Sequence, residues 1–499
     1  MNNLLFIPLA IAYFLVSSLL FLFGLNFMYL TFISLRQGPQ KRPKPRPLER
    51  WPRVTVQLPI YNEMYVAERL VQAASRLDYP KDRLEIQVLD DSTDETRAIV
   101  SQAAKAAQAN GIDIKVLHRT DRVGYKAGAL REGFEKASGE FLAIFDADFV
   151  PRPDFLQQTV PHFEDPKIAF VQTRWGHVNR GFSFLTLIQS LAIDAHFMVE
   201  QLARSLSGLW FNFNGTAGIW RRAAIEDAGG WTADTLTEDL DLSYRAFLKG
   251  WRARYLSAVE TPAEVPITFN AFRRQQHRWA RGSLECAARL LPAIWASHHP
   301  LRTKIAATFH LGGYGVHLLL FAYCLLQPVA ILYARDFPGL ISLFSVAYLF
   351  SLTILAPPLL LFAGQYKLGR PWWRWLPIIL FISAFGGGMM LNTVRAAAEV
   401  IRRKPGEFRR TPKFGVQAKT KSWMKQQYHL KLDPIVFWEL AFSALNFGTL
   451  ILGISSGYWL ASLYSGMFAL GCAFTALYTI GQTISINRVQ RAAALGSPN

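Results

Sequence analysis

The chain has 499 residues, of which 51% are hydrophobic and 18% are charged, and its mean hydropathy is +0.14. A soluble protein of this size carries about a quarter charged residues. The ordinary glycine and proline content and the presence of only three cysteines exclude the disordered, collagen-like and disulfide-framework classes. Cys286, Cys324 and Cys472 each lie in an apolar stretch, and we interpret them as core or lipid-facing thiols.

The formal net charge of +18 is concentrated in two segments. Residues 34–53 carry seven basic side chains and one acidic side chain, and residues 402–425 carry nine and one, so the two segments contribute +6 and +8. Both adjoin long apolar stretches. Basic charge beside membrane spans marks the cytoplasmic side, whereas nucleic-acid binding requires a basic face on a folded module. We therefore predict a membrane protein with no nucleic-acid partner.

The first apolar stretch, residues 1–35, has no charged side chain and is long enough to cross a bilayer. It starts without basic residues, so it is not typical of a cleavable signal peptide. We predict a retained transmembrane helix over residues 1–36, with its start outside the cell or in a lumen. A basic, proline-rich cytoplasmic linker follows over residues 37–53.

Residues 54–268 alternate short β-branched runs with polar helical segments. The predicted strands are VTVQLPI at 54–60, EIQVLDD at 85–91, IKVLH at 114–118 and EFLAIFDAD at 140–148, and helical patterns lie near 62–77, 94–109 and 125–137. This alternation predicts an α/β fold with a parallel sheet and helices on both faces. In such sheets ligands bind beyond the carboxyl ends of the strands.

Beyond Lys304 the chain is apolar again. Four stretches contain no Asp, Glu, Lys or Arg, namely 305–334, 337–366, 375–394 and 440–487, and the last is long enough for two helices. If both basic segments are cytoplasmic, an even number of spans must separate them. We expect 375–394, the shortest stretch and the one with a Gly-Gly-Gly sequence, to lie at the interface or to re-enter, which leaves five crossings.

The remaining divisions of the chain follow from these assignments. They are an interfacial amphipathic helix at 269–300, transmembrane helices with the interfacial or re-entrant segment at 301–401, a cytoplasmic loop at 402–433, two transmembrane helices at 434–487 and a cytoplasmic tail at 488–499.

Acidic side chains end two of the predicted strands, at positions 90–91 and at positions 146 and 148. Two carboxylates at i and i+2 can share a divalent cation, which neutralises a diphosphate. An Asp-x-Asp sequence is also common in ordinary loops, so its meaning depends on its neighbours. The Pro-Ile-Tyr-Asn-Glu sequence at 59–63 ends the first strand, and Lys126 is a cation able to reach phosphate oxygens.

A Thr-Glu-Asp sequence at 237–239 precedes a helical pattern. In a helix cap, its Thr or Asp would accept hydrogen bonds from free backbone N–H groups. In an active site, a carboxylate here would be a general base that takes a proton from an acceptor hydroxyl. The spacing alone favours the cap.

A Gln-Gln-His-Arg-Trp sequence at 275–279 lies in a helical pattern that runs from about 270 to 295. Gln275, Arg278 and Trp279 fall on adjacent turns, where Arg can clamp diphosphate oxygens and the indole can offer a flat platform to a sugar ring. The same residue types suit an interfacial helix with Arg and Trp at the headgroup level. The two interpretations are compatible.

Taken in order, PIYNE, LDDSTD, DAD, TED and QQHRW resemble the motifs of the processive family-two glycosyltransferases, which include cellulose, chitin and hyaluronan synthases. QTRWGHVN at 172–179, FNFNGTAGIW at 211–220, EDAGGW at 226–231 and TEDLDLSYRA at 237–246 are similar to the cellulose-synthase-like mannan and glucomannan synthases of plants and to a xyloglucan-backbone glucan synthase branch. The resemblance is strong over residues 50–300. It implies a GT-A-type, Rossmann-like glycosyltransferase domain at 54–268, inserted between transmembrane helices.

Further along the chain the resemblance is looser. Phe408-Arg409-Arg410-Thr411-Pro412-Lys413 is similar to the gating-loop sequence Phe-x-Val-Thr-x-Lys of cellulose synthases, with Arg410 where Val is usual. In that family the loop is cytoplasmic and closes over the donor nucleotide. The resemblance therefore implies Phe408, Thr411 and Lys413 as gating-loop residues.

The resemblance also implies a role for each motif residue. Tyr61, Glu63, Asp90, Asp91, Lys126, Gln275 and Arg278 would bind the donor nucleotide, Asp146 and Asp148 would hold Mg²⁺ or Mn²⁺, Asp239 would be the catalytic base, and Trp279, Asn214, Gly215 and Glu238 would contact the acceptor. The role of Asp239 overrides the helix-cap interpretation. The implied reaction is a single displacement with inversion, which gives a β-linkage from an α-linked nucleotide sugar.

Our leading hypothesis is a hexosyltransferase that uses GDP-mannose or UDP-glucose to elongate a β-mannan, glucomannan or glucan and passes the glycan through its own helices. The alternative is a non-processive glycolipid synthase with a diacylglycerol, ceramide or polyprenyl-phosphate acceptor. A transporter or scaffold with an inactive domain is disfavoured, because the catalytic motifs are complete.

The hypothesis places the protein in a plasma (inner) membrane or a Golgi-type membrane, with lipid around its spans and the catalytic domain in the cytoplasm. Five spans form a slender channel, so a homo-oligomer or an export partner would help to complete it.

Overall fold

The structure is a computed structural model that describes residues 3–38, 50–336, 354–416 and 422–495. Its strands are β1 (Val54–Ile60), β2 (Leu84–Asp90), β3 (Ile114–His118), β4 (Phe141–Ile144), β5 (Ile168–His177), β6 (Gly218–Arg221) and β7 (Arg252–Ala263). Its helices as far as the ninth are α1 (Asn3–Arg36), α2 (Ala67–Ser75), α3 (Thr96–Ala109), α4 (Tyr125–Lys136), α5 (Phe155–Thr159), α6 (Phe184–Ala195), α7 (Leu202–Leu206), α8 (Arg222–Asp227) and α9 (Glu238–Leu248).

The later helices are α10 (Phe269–Ala296), α11 (Leu301–Leu311), α12 (Gly315–Asp336), α13 (Ala356–Lys367), α14 (Leu376–Gly388), α15 (Met390–Ile401), α16 (Ile435–Ser455) and α17 (Trp459–Ala494). A π-helical turn, His196–Gln201, joins α6 to α7. Such turns are rare and are found mostly at functional sites.

The seven strands form one sheet in the order β3-β2-β1-β4-β6-β5-β7. The four predicted strands are confirmed as parallel neighbours, and β5 also pairs in parallel with β7. The prediction of a purely parallel sheet is wrong, however, because β6 runs antiparallel to both β4 and β5. The four residues of β6 are too few to show the alternation that would identify a strand in the sequence.

The sheet is covered on both faces, as the strand–helix alternation predicts. Alternate residues of β4 divide between two apolar clusters: Phe141 and Ala143 pack with α2 and α3, whereas Leu142 and Ile144 pack with α4, α8 and α9. This division follows from the period-two geometry of a strand. Burial on both faces explains why these strands are almost continuously apolar.

The strand register brings the predicted motif residues to one edge of the sheet. Ile60 at the end of β1 is paired with Asp90 at the end of β2, so Tyr61 and Asp91 leave the sheet side by side. The last residue of β4, Ile144, is paired with Gly218 of β6. The Asp-x-Asp sequence after β4 therefore lies beside the loop that precedes β6.

Five helical segments of the described residues are long and apolar enough to cross a membrane: Pro8–Arg36, Gly315–Tyr333, Trp372–Ile401, Ile435–Ser455 and Trp459–Ala494. The predicted stretch 337–366 lies partly outside the described residues, and its described part contains α13. The stretch 375–394 is part of Trp372–Ile401, which length and composition do not set apart from the other four. Its interfacial or re-entrant placement stays a prediction.

The Gly-Gly-Gly sequence at 386–388 lies where α14 packs closely against α17. A Cβ atom on Gly388 would overlap the carbonyl oxygen of Gly471 in α17, and one on Gly471 would overlap that of Ala384 in α14. Small residues let the backbones of membrane helices approach in this way. The break between α14 and α15 at Met389 follows directly after this contact.

Helix α10 joins the sheet domain to the apolar helices. Its Arg273 is fully buried and donates hydrogen bonds of 2.9 Å to both carboxylate oxygens of Glu439 in α16, and one of 3.2 Å to Thr479 in α17. A buried guanidinium needs such partners, because an unpaired buried charge is strongly destabilising. The predicted helix near 270–295 is confirmed, and the Gln-x-x-Arg-Trp sequence lies on it.

Candidate active site

One cavity lies beyond the carboxyl ends of β1, β2 and β4, and it is lined by every predicted site residue except Asp90. These residues are Tyr61, Glu63, Asp91, Lys126, Asp146, Asp148, Asn214, Gly215, Glu238, Asp239, Gln275, Arg278, Trp279, Phe408, Thr411 and Lys413. They come from strand ends, three helices and a loop more than 100 residues further along the chain. Their convergence is evidence that the sequence alone could not provide.

Asp90 is the predicted nucleotide ligand that the structure does not bring to the cavity. Its side chain is fully buried, where its carboxylate lies 2.9 Å from His118 Nδ1 and accepts a 3.0 Å hydrogen bond from the backbone N–H of Ser92. Successive residues at a strand end point to opposite sides. Asp91 therefore faces the cavity, whereas Asp90 joins the end of β2 to His118 at the end of β3.

Tyr61 and Asp91 form the end of the cavity at which the motifs predict the nucleoside. Arg119 donates two hydrogen bonds to the Asp91 carboxylate, at 2.8 and 2.6 Å, and so fixes its orientation. The Arg122 guanidinium lies flat on the Tyr61 ring, 3.3 Å from the ring centroid. An aromatic face, a carboxylate and a guanidinium offer stacking, acceptor and donor contacts to a base and ribose.

The first carboxylate of the Asp-x-Asp sequence is held by Lys126. Lys126 Nζ donates hydrogen bonds to Asp146 Oδ1 at 2.5 Å and to the Gly215 carbonyl oxygen at 2.8 Å, and it lies 3.7 Å from Glu238 Oε1. The backbone N–H of Asp146 donates to Thr216 Oγ1 at 2.9 Å. This lysine therefore ties the end of β4 to the loop before β6 and to the Thr-Glu-Asp sequence.

The second carboxylate, Asp148, is held by the predicted gating loop. Lys413 Nζ donates a 2.7 Å hydrogen bond to Asp148 Oδ2 and another to the Glu264 carbonyl oxygen. Arg69 donates a 3.3 Å hydrogen bond to the Asp148 carbonyl oxygen and lies 3.7 Å from the Glu264 carboxylate. The loop is thus bound directly to the Asp-x-Asp sequence.

The two carboxylates fit a divalent cation. Each accepts a hydrogen bond from a lysine ammonium group, which shows that the position between them favours positive charge. Oxygen ligands at i and i+2 suit Mg²⁺ or Mn²⁺, which bind through one or two carboxylates together with substrate phosphates. No cluster of three or more His, Cys, Asp or Glu side chains occurs within the described ranges, so a diphosphate would have to supply further ligands.

Asp239 lies in the first turn of α9 and faces the cavity. Its burial, together with the neighbouring Glu238 carboxylate, raises the pKa of Asp239 to about 7, although Lys126 opposes this shift. A carboxylate with a pKa near the working pH is suited to take a proton. Among the described contacts, the Thr237 side chain does not cap the helix; its hydroxyl lies 3.5 Å from Cys286 Sγ.

Gly215 allows the loop before β6 to pass close to Asp239. Its φ is +78°, and a Cβ atom at this position would lie 3.1 Å from Asp239 Oδ2 and 3.4 Å from Lys126 Nζ. Glycine is therefore required both by its backbone conformation and by the close approach. The adjacent Asn214 accepts a 2.6 Å hydrogen bond from Gln201 in the π-helical turn.

The Gln-x-x-Arg-Trp residues form the opposite wall. Gln275, Arg278 and Trp279 all line the cavity from α10. The Arg278 guanidinium lies 4.3 Å from the centroid of the Phe408 ring. The indole of Trp279 has its ring centroid 6.4 Å from that of Trp175 on β5.

Burial also affects the ionisation of Glu63. It raises the pKa of Glu63 to about 8, although Arg410 opposes the shift, and the two side chains lie 3.8 Å apart. Arg410 stands where cellulose synthases carry Val. It also lies over the Tyr428 ring, at 4.2 Å from its centroid.

The motifs do not identify four residues that line the cavity, Arg122, Trp175, His177 and Glu264, nor Arg119, which holds the Asp91 carboxylate. Arg119 and Arg122 precede Lys126 in a short basic run, and Trp175 and His177 lie in the QTRWGHVN segment at alternate positions. This alternation is the one available signal that the two β5 side chains share a face.

The site has the groups needed for transfer of a glycosyl unit from a nucleotide sugar. It combines stacking and acceptor groups for a nucleoside, a pair of carboxylates suited to a divalent cation, cations for a diphosphate, a carboxylate suited to accept a proton and a half-buried indole, beside a sheet with Rossmann-like order. These are the features that a GT-A-type glycosyltransferase site requires.

Comparison with known protein families supports this class. Residues 52–282 match the family described as "Glycosyltransferase like family 2", and residues 221–374 match the family described as "Cellulose synthase". The two matches together cover residues 52–374. Over this part the chain is similar to family-two glycosyltransferases and to cellulose synthases, and the resemblance of the motifs is confirmed.

Individual relatives indicate a narrower group of enzymes than the family matches do. The chain is 41% identical over 312 residues to glucomannan 4-beta-mannosyltransferase 9 of Arabidopsis thaliana, covering 59% of this chain and 58% of that protein. It is 48% identical over 238 residues to probable glucomannan 4-beta-mannosyltransferase 2 of Oryza sativa, covering 47% and 41%. The chain thus matches less than two thirds of the length of these relatives.

A solved structure shares the fold. The mannosyltransferase PcManGT from Pyrobaculum calidifontis, in complex with GDP-Man and Mn2+, superposes with a TM-score of 0.52 at 22% sequence identity, covering 80% of this chain and 100% of that chain. The GT-A-like α/β domain with apolar helices is therefore confirmed as the fold class.

Proposed function

We propose that the protein is an inverting membrane mannosyltransferase that transfers mannose from GDP-mannose to the end of a β-linked glycan. The observation that carries the proposal is the convergence of Asp239, the Asp-x-Asp sequence and the Gln-x-x-Arg-Trp sequence around one cavity. The relatives named glucomannan 4-beta-mannosyltransferases support mannose over glucose as the transferred hexose.

The direction of attack follows from the position of the base. Asp239 removes the proton from the acceptor hydroxyl as its oxygen attacks the anomeric carbon, and the bond to the nucleoside diphosphate breaks on the opposite side. One displacement inverts the anomeric centre, so an α-linked donor gives a β-linkage. Loss of a positioned base lowers the rate about 10²–10⁴-fold.

The leaving group is stabilised by cations that the chain positions in advance. Lys126 and Arg278 face the cavity and supply donors for the diphosphate oxygens. Asp146 and Asp148 would hold a divalent cation, which would neutralise the diphosphate when bound. The ammonium groups of Lys126 and Lys413 contact these two carboxylates.

The acceptor would enter from the side of α10. Trp279 presents its indole ring on that wall, near the ring of Trp175 on β5, and sugar rings stack on such surfaces. Helix α10 continues from this wall into contact with α16 and α17 through Arg273 and Glu439. A growing glycan would therefore leave the site close to the apolar helices.

The catalytic domain would face the cytoplasm of a plasma (inner) or Golgi-type membrane. Two arguments support this orientation: the basic segments at 34–53 and 402–425 adjoin spans, and the Lys413 loop is bound to the catalytic domain. Cysteine labelling in sealed vesicles tests it. A cysteine placed at Lys404 should react only with reagents that reach the cytoplasmic side.

The activity test uses membranes that contain the full chain, incubated with radiolabelled GDP-mannose, UDP-glucose or UDP-galactose and Mg²⁺ or Mn²⁺, with Asp239→Asn as the blank. We expect ethanol-insoluble label from GDP-mannose that a β-mannanase releases. Label that only a β-glucanase releases would show that the transferred hexose is glucose rather than mannose. Label confined to the organic phase would overturn the polymerase assignment in favour of a glycolipid synthase.

A further inference from the structure

The β5 wall of the cavity carries two polar groups to which the proposed mechanism assigns no role. Trp175 and His177 are two residues apart near the end of β5, so both side chains lie on the same face of the strand. Both residues line the cavity, as does Trp279 on the facing helix. The two β5 side chains are therefore neighbours of the indole on which the acceptor is expected to stack.

His177 is held by a buried carboxylate. Its side chain is 2% exposed, and its Nε2 lies 3.1 Å from Oδ1 of Asp194 in α6. The other carboxylate oxygen of Asp194 accepts hydrogen bonds from Arg180 at 2.6 Å, from Arg370 at 2.5 Å and from Gln365 at 3.0 Å. These partners outweigh the effect of burial and hold the pKa of Asp194 below its usual range.

This arrangement determines the role of each ring nitrogen. An ionised carboxylate can only accept hydrogen bonds, so the Nε2–H of His177 donates a hydrogen bond to Asp194. In the tautomer that carries its proton on Nε2, Nδ1 is the acceptor. It is buried and has no hydrogen-bond partner among the residues that the structure describes.

Trp175 provides the complementary group. Its indole packs against Phe149, Phe197 and Trp279, with ring centroids 5.3, 5.2 and 6.4 Å away. Its Nε1–H is likewise buried without a hydrogen-bond partner in the described part of the chain. One strand face therefore offers an unused donor and an unused acceptor, on residues whose backbone positions are about 6.5 Å apart along the strand.

We propose that Trp175 and His177 form a sugar-hydroxyl subsite, in which His177 Nδ1 accepts and Trp175 Nε1 donates a hydrogen bond to the acceptor hexose that stacks on Trp279. Asp194 is a positioning residue that fixes the tautomer and orientation of His177. Buried polar groups that form hydrogen bonds with a ligand discriminate strongly between sugars whose hydroxyls are placed differently. A sugar with the wrong arrangement leaves these groups without a hydrogen-bond partner. The inference rests on the proposed function only in naming this hexose as the acceptor.

The test measures oligosaccharide binding rather than transfer. The full chain with Asp239→Asn, in lipid nanodiscs and saturated with GDP, is titrated calorimetrically with β-1,4-mannotriose and with cellotriose. His177→Asn keeps an oxygen acceptor near the position of Nδ1, whereas His177→Gln reaches only the position of Nε2 and His177→Phe removes both. We expect about tenfold weaker binding in the Gln and Phe variants, the effect of one lost hydrogen bond, and a smaller loss in the Asn variant.

Three results would overturn the subsite. They are unchanged oligosaccharide affinity in the Gln variant, binding of neither oligosaccharide by the Asp239→Asn parent, and a loss confined to the affinity for GDP-mannose. The affinity of each variant for GDP shows whether the variant is folded. If His177→Phe does not fold, the comparison of His177→Gln with His177→Asn still tests whether Nδ1 binds the oligosaccharide. The proposed function is judged separately, by transfer from GDP-mannose with Asp239 intact, so the two failures are distinguishable.

Discussion

Lys413 and Asp148 are 265 residues apart in the chain, and the Lys413 ammonium donates a buried 2.7 Å hydrogen bond to the Asp148 carboxylate. This contact joins the 402–433 loop to the carboxylate pair that suits a divalent cation. A divalent cation bound to Asp148 would therefore compete with the loop lysine for this carboxylate.

The first prediction follows from this competition. Lys413→Met removes the ammonium group and keeps the length of the side chain, so Mn²⁺ should bind to the ligand-free protein roughly tenfold more tightly. Titration monitored by Mn²⁺ electron paramagnetic resonance measures the change. Lys404→Met, at an exposed position of the same loop, is the control and should leave the affinity unchanged. Equal affinities in both variants would show that Lys413 does not compete.

The pH dependence of turnover depends on Asp239. Burial and Glu238 raise the pKa of Asp239 to about 7, and the base must be deprotonated to accept a proton. Turnover should therefore fall as the pH is lowered through about 7. Glu238→Gln removes the negative charge beside Asp239, so the acid limb of the profile should move to lower pH. An acid limb that stays in place in this variant would contradict the assignment.

The same shift predicts an effect on stability. A carboxylate with a raised pKa binds its proton more tightly in the folded protein, so its contribution to stability falls as the pH rises from the ordinary Asp value to about 7. Asp239→Asn removes the buried charge and should raise the Tm at pH 8 by roughly 2–4 °C. This increase in Tm should vanish near pH 4, where Asp239 becomes protonated in the unfolded as well as in the folded protein. Asp82→Asn, at a side chain that is 76% exposed, is the control.

Gly215 allows a prediction with a matched control. Gly215→Ala and Gly208→Ala both place alanine at positive φ, +78° and +65°, and each should lower stability by about 1 kcal/mol. Only the Gly215 Cβ meets Asp239 and Lys126, because nothing lies within 4 Å of a Cβ at Gly208. We expect turnover to fall at least roughly tenfold in Gly215→Ala alone. Similar turnover in the two variants would mean that the close approach is not required.

The buried ion pair between Arg273 of α10 and Glu439 of α16 gives a further prediction. Arg273→Met leaves the Glu439 carboxylate buried without its cation, which should lower stability by roughly 3–5 kcal/mol. Arg273→Met combined with Glu439→Leu removes both charges and should regain most of the loss. Thermal unfolding in one detergent compares the variants. A double variant no more stable than the single one would show that Glu439 does not need Arg273.

Much of the site is predictable from the sequence because its residues lie in short motifs, either at the end of an apolar strand, as for Asp146 and Asp148, or in a helical pattern, as for Asp239 and Arg278. Asp146, Asp148, Asp239 and Arg278 follow from such motifs, and the structure brings them to one cavity. The division between Asp90 and Asp91 is different. The two residues are adjacent, at the end of β2 and just beyond it, and only the packing of β2 in the sheet decides which carboxylate faces the cavity.

The sequence by itself determined the apolar segments, the strand–helix alternation and the motif residues, because each depends on composition or on a spacing of a few residues. Tertiary structure alone decided the antiparallel β6, the contact of Lys413 with Asp148 and the pairing of His177 with Asp194. These features join segments that are distant in the chain. Local patterns contain no information about which distant carboxylate a buried cation or imidazole will meet, since that depends on how the layers pack.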